Sequence, residues 1–224
     1  MQIAKAVDIL LSASPYMEEA LMENLINISA LARKIKPDVE RLTHKKVQEN
    51  AIIMAISRRP PSCPYPVTKG IRDFMEKLGD LIVRSGLSDH TFENSATLPG
   101  CQRQLMEAIS NDKDVFCTFS QGVMETTIVT SSSLDKTIKK IFAGEKRISQ
   151  QTGLSSVSIR LPRDNTRISG IYYHILKQLA WAGINICEVI STSNEISIVV
   201  SEHDVRRAFP ILMGLKQQQH ISPV

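Results

Sequence analysis

Aromatic side chains are scarce in this sequence. They make up 5% of its 224 residues, and only one of them is a tryptophan. Proteins that bind single-stranded nucleic acid without sequence preference stack the bases on aromatic rings, so this scarcity argues against that class. Hydrophobic residues nevertheless account for 42% of the chain, which is enough to form packed cores rather than a disordered segment.

Long apolar runs are also missing. No stretch approaches the ~20 apolar residues that span a bilayer, and the N-terminus lacks the basic, apolar and small-residue pattern of a secretory signal. The four cysteines, Cys63, Cys101, Cys117 and Cys187, form no C-x-x-C pair. We therefore expect a cytoplasmic protein with reduced thiols, no contact with a membrane and no metal site.

The sequence contains no recognisable catalytic motif. The five histidines have no metal-ligand spacing, no serine or cysteine stands in a nucleophile set, and no glycine-rich phosphate loop occurs. We predict no catalytic residue and no cofactor. The net charge of +4 permits an anionic partner without requiring one.

Residues 1–58 are predicted to form a small all-α domain. Apolar residues recur at helical spacing in four segments. The third helix is expected to begin near Asn27 and to be interrupted at Pro37, because proline lacks an amide hydrogen and clashes with the preceding turn. The last helix covers residues 47–57.

Positive charge is concentrated in the second half of this domain. Residues 33–59 hold eight basic residues against three acidic ones, a net charge of +5. Two helices with a basic flank are typical of a DNA-binding helix-turn-helix, with residues 47–57 as the recognition helix. The alternative is a helical bundle with an ordinary solvated basic face. The residues proposed to contact nucleic acid are Arg33, Lys34, Lys45, Lys46, Arg58 and Arg59.

Four prolines in the stretch RRPPSCPYP mark a stiff linker, assigned to residues 59–67. The remainder is predicted to divide into a first α/β domain over residues 68–148 and a second over residues 149–216. Residues 217–224 are assigned to a C-terminal tail.

The two α/β domains are predicted to be copies of one unit at an offset of 70 residues. Gly100 then matches Gly170, Cys117 matches Cys187, and the register holds without a gap over about 45 residues. The alternative is two unrelated α/β segments of similar length.

Each copy shows a β-α-β-β-α pattern of short strands and amphipathic helices. This predicts the α+β class: tandem ferredoxin-like βαββαβ units with antiparallel sheets and helices on one side, preceded by the all-α domain. Open sheet edges favour pairing between the units or between two chains.

Residues 183–200, GINICEVISTSNEISIVV, and the acidic turn that follows at 202–204 resemble the ACT domain, specifically the regulatory half of aspartate kinases. The resemblance covers residues 154–214, and the first copy shares it only through the internal repeat. Ser169-Gly170 stands where the family often has Pro-Gly. We expect no kinase portion and no enzyme activity, because the helical residues 1–60 are too few to form a kinase domain.

The resemblance implies a regulatory role. ACT domains usually bind a small amino acid where two domains pair, which here implies an aspartate-family effector such as lysine or threonine and a homodimer that pairs through its sheets. The loop before the first helix would hold the ligand together with the start of the second strand of the partner unit. The implied positions are Arg163, Asp164, Asn165, Ser169, Gly170, Ile171, Asn185, Ile186, Ser191 and Thr192.

The residue chemistry at the helix start admits two interpretations. Backbone N–H groups near Gly170 suit a carboxylate, and Asp164, Asn165 or Ser169 suits an ammonium group. The same segment also fits an ordinary capped helix start, with Ser169 as the N-cap and the other two as turn formers.

Three functions follow from the sequence. The first is an amino-acid-sensing regulatory protein in which ligand binding changes the pairing of the units and the linker passes that change to the helical domain. The second is a ligand-responsive transcription regulator that binds DNA through the helix-turn-helix. The third is a regulatory partner of a separate amino-acid biosynthetic enzyme, with the helical domain as a protein-docking bundle.

Overall fold

The computed structural model describes residues 1–22, 24–59, 70–71, 73–112, 114–163 and 165–216. The chain divides into a helical unit, Met1–Thr68, and a sheet unit, Lys69–Val224. Most of the predicted linker, the predicted tail and Asp164 lie outside the described residues. Within the described ranges, no helix is both long and apolar enough to cross a bilayer.

The described residues of the helical unit form four helices: α1 (Ile3–Ser12), α2 (Pro15–Met22), α3 (Ile28–Thr43) and α4 (Glu49–Ser57). Their apolar stripes meet in one core, which is why a segment of this length folds. The buried residues are Ala6, Val7, Leu11, Leu31, Ala32, Ile35, Val39, Val47, Ile52 and Ile56.

The predicted interruption at Pro37 was wrong, because α3 continues through it to Thr43. Beyond the proline, Val39 is fully buried in the core with Ile35, four residues earlier. Burying a valine contributes about 1.5–3 kcal/mol, comparable with the ~3 kcal/mol that an interior proline costs. The helix ends where His44 adopts a left-handed φ of 56°.

After the helical residues 70–71 and 73–75, the described residues of the sheet unit form six strands and four further α-helices. They are β1 (Leu81–Glu93), α5 (Leu98–Ile109), β2 (Cys117–Gln121), β3 (Glu125–Ser131), α6 (Asp135–Ile141), β4 (Arg147–Arg160), α7 (Ile171–Trp181), β5 (Ile186–Ser191), β6 (Glu195–Ser201) and α8 (Val205–Gly214). The strands pair antiparallel in the order β2-β3-β1-β4-β6-β5. The predicted fold class, an antiparallel α+β unit preceded by helices, is confirmed.

The internal repeat is also confirmed. β3 begins at Glu125 and ends at Ser131, and β6 begins at Glu195 and ends at Ser201, 70 residues later at both ends. We call β1 to α6 the first repeat and β4 to α8 the second.

The two repeats share their long strands. Residues 87–93 of β1 pair with β3, and residues 81–85 pair with the second half of β4. The first half of β4 pairs with β1 and so forms the fourth strand of the first repeat. In the same way, residues 81–85 of β1 form the fourth strand of the second repeat. The predicted division between residues 148 and 149 therefore falls inside β4.

The helices cover one face of the sheet in two cores. In the second repeat, β4, β6, α7 and α8 enclose a core that also includes Phe74, Met75 and Leu78. In the first repeat, Phe92 stacks on Phe142 with ring centroids 4.8 Å apart. A smaller apolar cluster of Leu87, Val129, Leu154 and Val199 lies on the opposite face, because side chains alternate along each strand.

Candidate functional site

The loop between β4 and α7 is fixed to the turn of the β5–β6 hairpin. Asn165 is 7% exposed, and its Nδ2 donates to the carbonyl oxygens of Pro162 at 3.0 Å and Ser193 at 2.5 Å. The backbone N–H of Leu161 donates to the carbonyl of Asn194 at 2.7 Å. Two chain segments that lie about thirty residues apart thus form one structured surface.

The first turn of α7 joins the same surface. The hydroxyl of Tyr172 lies 2.7 Å from Ser191 Oγ, at the end of β5. Gly170 precedes the helix with a left-handed φ of 87°, and a Cβ at that position would lie 3.0 Å from Ile71 Cδ1. Gly170 is the N-cap residue of α7 and has no side chain with which to cap the helix, and its carbonyl accepts from the backbone N–H of His174 at 2.9 Å.

The predicted effector residues that the structure describes fall into three groups, and two of these lie at the loop. Arg163, Ser169, Gly170, Ser191 and Thr192 are exposed near this surface. Asn165 and Ile171 are buried, the first as the hydrogen-bonding centre of the loop and the second as part of the core.

Asn185 and Ile186 lie elsewhere. They stand at the start of β5, six residues before Ser191, which is roughly 20 Å along an extended strand. Asn185 is exposed and Ile186 packs against the core. Within one chain, therefore, they do not adjoin the loop.

The first repeat has a carboxylate at the corresponding helix start. Ser95 Oγ accepts from the N–H groups of Thr97 and Leu98 at 3.2 and 3.0 Å and donates to Glu145 Oε2 at 2.6 Å. Thr97 Oγ1 donates to Glu145 Oε1 at 2.7 Å, and Cys101 Sγ lies 3.6 Å from the same oxygen. The hydrogen bonds from Ser95 and then Thr97 lower the pKa of Glu145.

Sequence reasoning missed Glu145 and Tyr172. A signal existed for the glutamate, because the offset of 70 residues matches it with the apolar Leu215 and so marks a departure from the repeat. Tyr172 carried no such signal, since an aromatic residue next to a helix start is ordinary.

Acidic side chains gather on the sheet face opposite the helices. Burial raises the pKa of Asp89, although a hydrogen bond from Thr91 and the neighbouring His90 act in the other direction. Burial, and then repulsion from Asp89 and Glu125, raises the pKa of Glu188. No group of three or more histidine, cysteine or acidic residues in the described ranges is arranged to hold a metal ion.

A buried histidine lies under the helices of the first repeat. His90 Nε2 is 3.1 Å from Asp135 Oδ1, and Ser88 Oγ donates to the other carboxylate oxygen at 3.1 Å. A nucleophile set would place the histidine between the other two groups. Here the carboxylate lies between, so the arrangement anchors α6 to β1.

The predicted nucleic-acid residues differ in their surroundings. Lys34, Lys45, Lys46 and Arg58 are exposed. The remaining two arginines make ion pairs inside the helical unit: Arg33 with Glu49 at 3.1 Å, and Arg59 with Asp8 at 2.6 Å and with Glu18.

No model of a known protein family matches the sequence, and no curated protein matches it. Solved structures do match its fold. The ligand-free regulatory subunit of aspartate kinase from Thermus thermophilus aligns with a TM-score of 0.51 and 10% identity, over 62% of this chain and 97% of that one. The sheet unit has an ACT-type fold. The match extends over almost all of that regulatory subunit.

Two further structures agree with this fold. A structure of aspartokinase alpha and beta subunits aligns with a TM-score of 0.50 and 16% identity, over 62% of this chain and 99% of that one. The aspartate kinase of Clostridium acetobutylicum aligns with a TM-score of 0.51 and 15% identity, over 62% of this chain but only 34% of the longer enzyme. The expected resemblance to the regulatory part of aspartate kinases is confirmed for the fold.

Proposed function

We propose that this chain is a non-catalytic regulatory protein whose ACT-type repeats bind a small amino acid of the aspartate family, such as lysine or threonine. The exposed loop before α7, which Asn165 fixes to the turn of the β5–β6 hairpin, supports the proposal most directly. The positive end of the α7 dipole lies at this loop and favours a carboxylate. The loop held by Asn165 presents Ser169 and Arg163 beside this helix start, where they are available to the rest of the ligand.

The site is completed by a second copy of the chain. Asn185 and Ile186 lie too far along β5 to join the loop of their own repeat, so a paired unit must supply them. The edge strands β2 and β5 each leave one side of their backbone unpaired in the sheet, which favours association of two chains. Effector binding across this interface stabilises one pairing of the chains and so regulates an attached or separate activity.

Thermal shift with each of the twenty amino acids tests this proposal. We expect lysine or threonine to raise the melting temperature, because a ligand that binds only the folded state stabilises it by about 2.7 kcal/mol at 100 times its dissociation constant. The variant Asn185→Ala should reduce the shift, whereas Asn50→Ala, an exposed asparagine of the helical unit, should not. A screen in which no amino acid raises the melting temperature contradicts the proposal.

A second candidate is sequence-specific DNA binding by the helical unit. The exposed cations Lys34, Lys45, Lys46 and Arg58 favour it, because Lys45 and Lys46 lie four and three residues before the start of α4 at Glu49. We expect a gel shift at low salt that weakens as salt rises. Replacing Lys45, Lys46 and Arg58 by alanine should abolish the shift, while Lys5→Ala should leave it unchanged. Failure to shift any fragment of a random-sequence library at low salt removes this candidate.

A third candidate is a regulatory partner of a separate biosynthetic enzyme. It is supported by the match in fold to a solved regulatory subunit of an aspartate kinase. Co-purification from cells with and without the effector separates it from the DNA-binding candidate, because it predicts a protein partner that is retained after nuclease treatment.

A further inference from the structure

A groove runs along the surface of the helical unit between α1 and α4. It has a volume of about 370 Å³, which lies within the range of small-molecule sites in proteins. Along α4 the groove extends from Ala51 to Arg58, roughly 10 Å at the rise of an α-helix. The space is therefore long and narrow, with the shape of a chain rather than of a ring.

The floor of this groove is apolar. It is formed by Ile3 and Ala4 of α1 and by Ala51, Met54 and Ala55 of α4. The three alanines are too short to fill the space between the helices, and Met54 remains 49% exposed. An apolar chain that covers these side chains removes them from water, and the flexible methionine can adapt to its shape.

One end of the groove is polar. Arg59 Nε donates to Asp8 Oδ1 at 2.6 Å, and Arg59 also pairs with Glu18. Arg58, which lines the same end, is exposed and makes no ion pair within the described ranges. Its full charge outweighs the partial negative charge at the C-terminal end of α4, and a guanidinium can donate two parallel hydrogen bonds to a carboxylate.

We propose that this groove binds an apolar carboxylate of the medium-chain fatty-acid class. The chain lies on the alanine and methionine floor, and the carboxylate pairs with Arg58. The site belongs to the helical unit and does not depend on the proposed function of the repeats.

NMR of alanine methyl groups in the full chain tests this inference, with sodium octanoate below its micelle concentration as the probe. We expect the signals of Ala4, Ala51 and Ala55 to shift and to saturate. The signal of Ala13, an exposed alanine at the end of α1, should stay unchanged. Hexanoate should bind more weakly, by up to about fourfold for each CH₂ group removed. Equal shifts at Ala13, or affinity that is independent of chain length, overturn the inference.

Substitution of Arg58 tests the role of the cation. Arg58→Ala should weaken octanoate binding by about tenfold, because a hydrogen-bonded charged partner is lost, and Arg58→Lys should restore part of the affinity. Binding of 1-octanol, which has the same chain without the charge, should be equal in wild type and Arg58→Ala. Octanoate that binds Arg58→Ala as tightly as wild type overturns the inference.

Substitution of Ala4 tests the floor. Ala4 is exposed and lines the groove, so Ala4→Leu should occupy the space of the ligand and abolish octanoate binding. Ala13→Leu makes the same change on the same helix outside the groove and should leave binding intact. Equal affinities of these two variants overturn the inference. Circular dichroism confirms the helical content of each variant, and the Arg58 variants keep the test decisive if Ala4→Leu does not fold.

The competing occupant is a second copy of the chain. In that case the methyl signals of Ala4, Ala51 and Ala55 would shift as the protein concentration is raised without octanoate, and this result would overturn the inference. None of these measurements involves the repeats. A failed amino-acid screen therefore leaves the groove untouched, and a failed octanoate titration leaves the proposed function untouched.

Discussion

Ser155 donates a hydrogen bond to Ser85 over 3.2 Å, and the two serines occupy the same position in the two repeats, 70 residues apart. They also pair directly in the register of β1 and β4. When equivalent residues of two repeats face each other across antiparallel strands, a local two-fold axis passes between them. The two repeats therefore form a single continuous sheet rather than two separate domains.

The shared strands depend on two glycines with left-handed backbone. Gly86 has φ +70° and Gly153 has φ +67°, and both lie where the pairing of β1 with β4 shifts register. An extra residue at each shift bends the strand and increases its twist. On one side of the shifts each long strand belongs to the sheet of the first repeat, and on the other side it belongs to the sheet of the second.

Replacing Gly153 by alanine should destabilise the protein by about 1–2 kcal/mol, because side chains rarely adopt this backbone conformation. The control is Gly100→Ala. A Cβ at either position meets nothing within 4 Å, but Gly100 lies in α5, where alanine is favoured over glycine by up to about 1 kcal/mol. Urea unfolding measures both. Equal effects of the two substitutions would show that backbone strain is not the cause.

Local patterns predicted much of this fold. The offset of 70 residues, the hairpin and the helical unit all follow from periodicity, which is a property of neighbouring residues. The sharing of β1 and β4 could not be predicted, because residues 81–85 and 147–153 are mostly exposed and owe their strand structure to partners far away in the sequence. Continuation of α3 through Pro37 likewise depends on the core that Val39 enters.

The sequence predicted part of the candidate site and missed part of it. The resemblance pointed to Asn165 and to the helix start at Gly170, which the structure joins to the hairpin. It did not point to Tyr172 or Glu145, since each acts through a hydrogen bond to a residue distant in the sequence.

Asn165→Asp should destabilise the protein more than Asn165→Ala near neutral pH. Alanine removes the side-chain donor to the carbonyls of Pro162 and Ser193, a loss of about 0.5–1.5 kcal/mol for each bond, although the Pro162 carbonyl still accepts from the backbone N–H of residue 165. Aspartate also directs a negative charge at the same two oxygens. Thermal unfolding checks the order, with the exposed substitution Asn185→Asp as the control.

Acidification should reduce the difference, since a protonated aspartate can again donate to one carbonyl. If Asn165→Ala is the less stable of the two variants at neutral pH, the amide does not hold the loop through these two bonds.

Arg59→Ala should destabilise the helical unit by about 1–3 kcal/mol. Its side chain is 12% exposed and connects the end of α4 to Asp8, Ser12 and Glu18. This loss of stability lies between the losses measured for exposed and for buried ion pairs. The reason is that Asp8 is exposed to solvent whereas Glu18 is largely buried. Arg58→Ala removes the neighbouring, exposed cation and should have little effect.

Limited proteolysis within the helical unit, together with urea unfolding, distinguishes these two arginines. The result also bears on DNA binding: a loss of binding in Arg59→Ala reports on folding, whereas a loss in Arg58→Ala reports on contact. If Arg58→Ala is as destabilising as Arg59→Ala, the ion pairs are not the source of the effect.

Asp89→Asn should stabilise the protein near neutral pH and much less at about pH 4. Burial raises the pKa of Asp89, so the folded protein retains a proton that the unfolded chain releases at the ordinary aspartate value near 4. Stability therefore falls as the pH rises from that value through the raised one. Asparagine has no charge to bury and keeps the oxygen that accepts from Thr91. The exposed Asp114→Asn removes the same charge and is the control.

The same substitution should change Glu188. Repulsion from Asp89 contributes to the raised pKa of Glu188, after burial, so an NMR titration of Glu188 in Asp89→Asn should show a lower pKa than in the wild type. Glu188 then ionises more readily and retains only the penalty of burial and the repulsion from Glu125. An unchanged titration of Glu188, together with an unchanged stability difference between neutral and acid pH, would mean that the two carboxylates on this face do not interact.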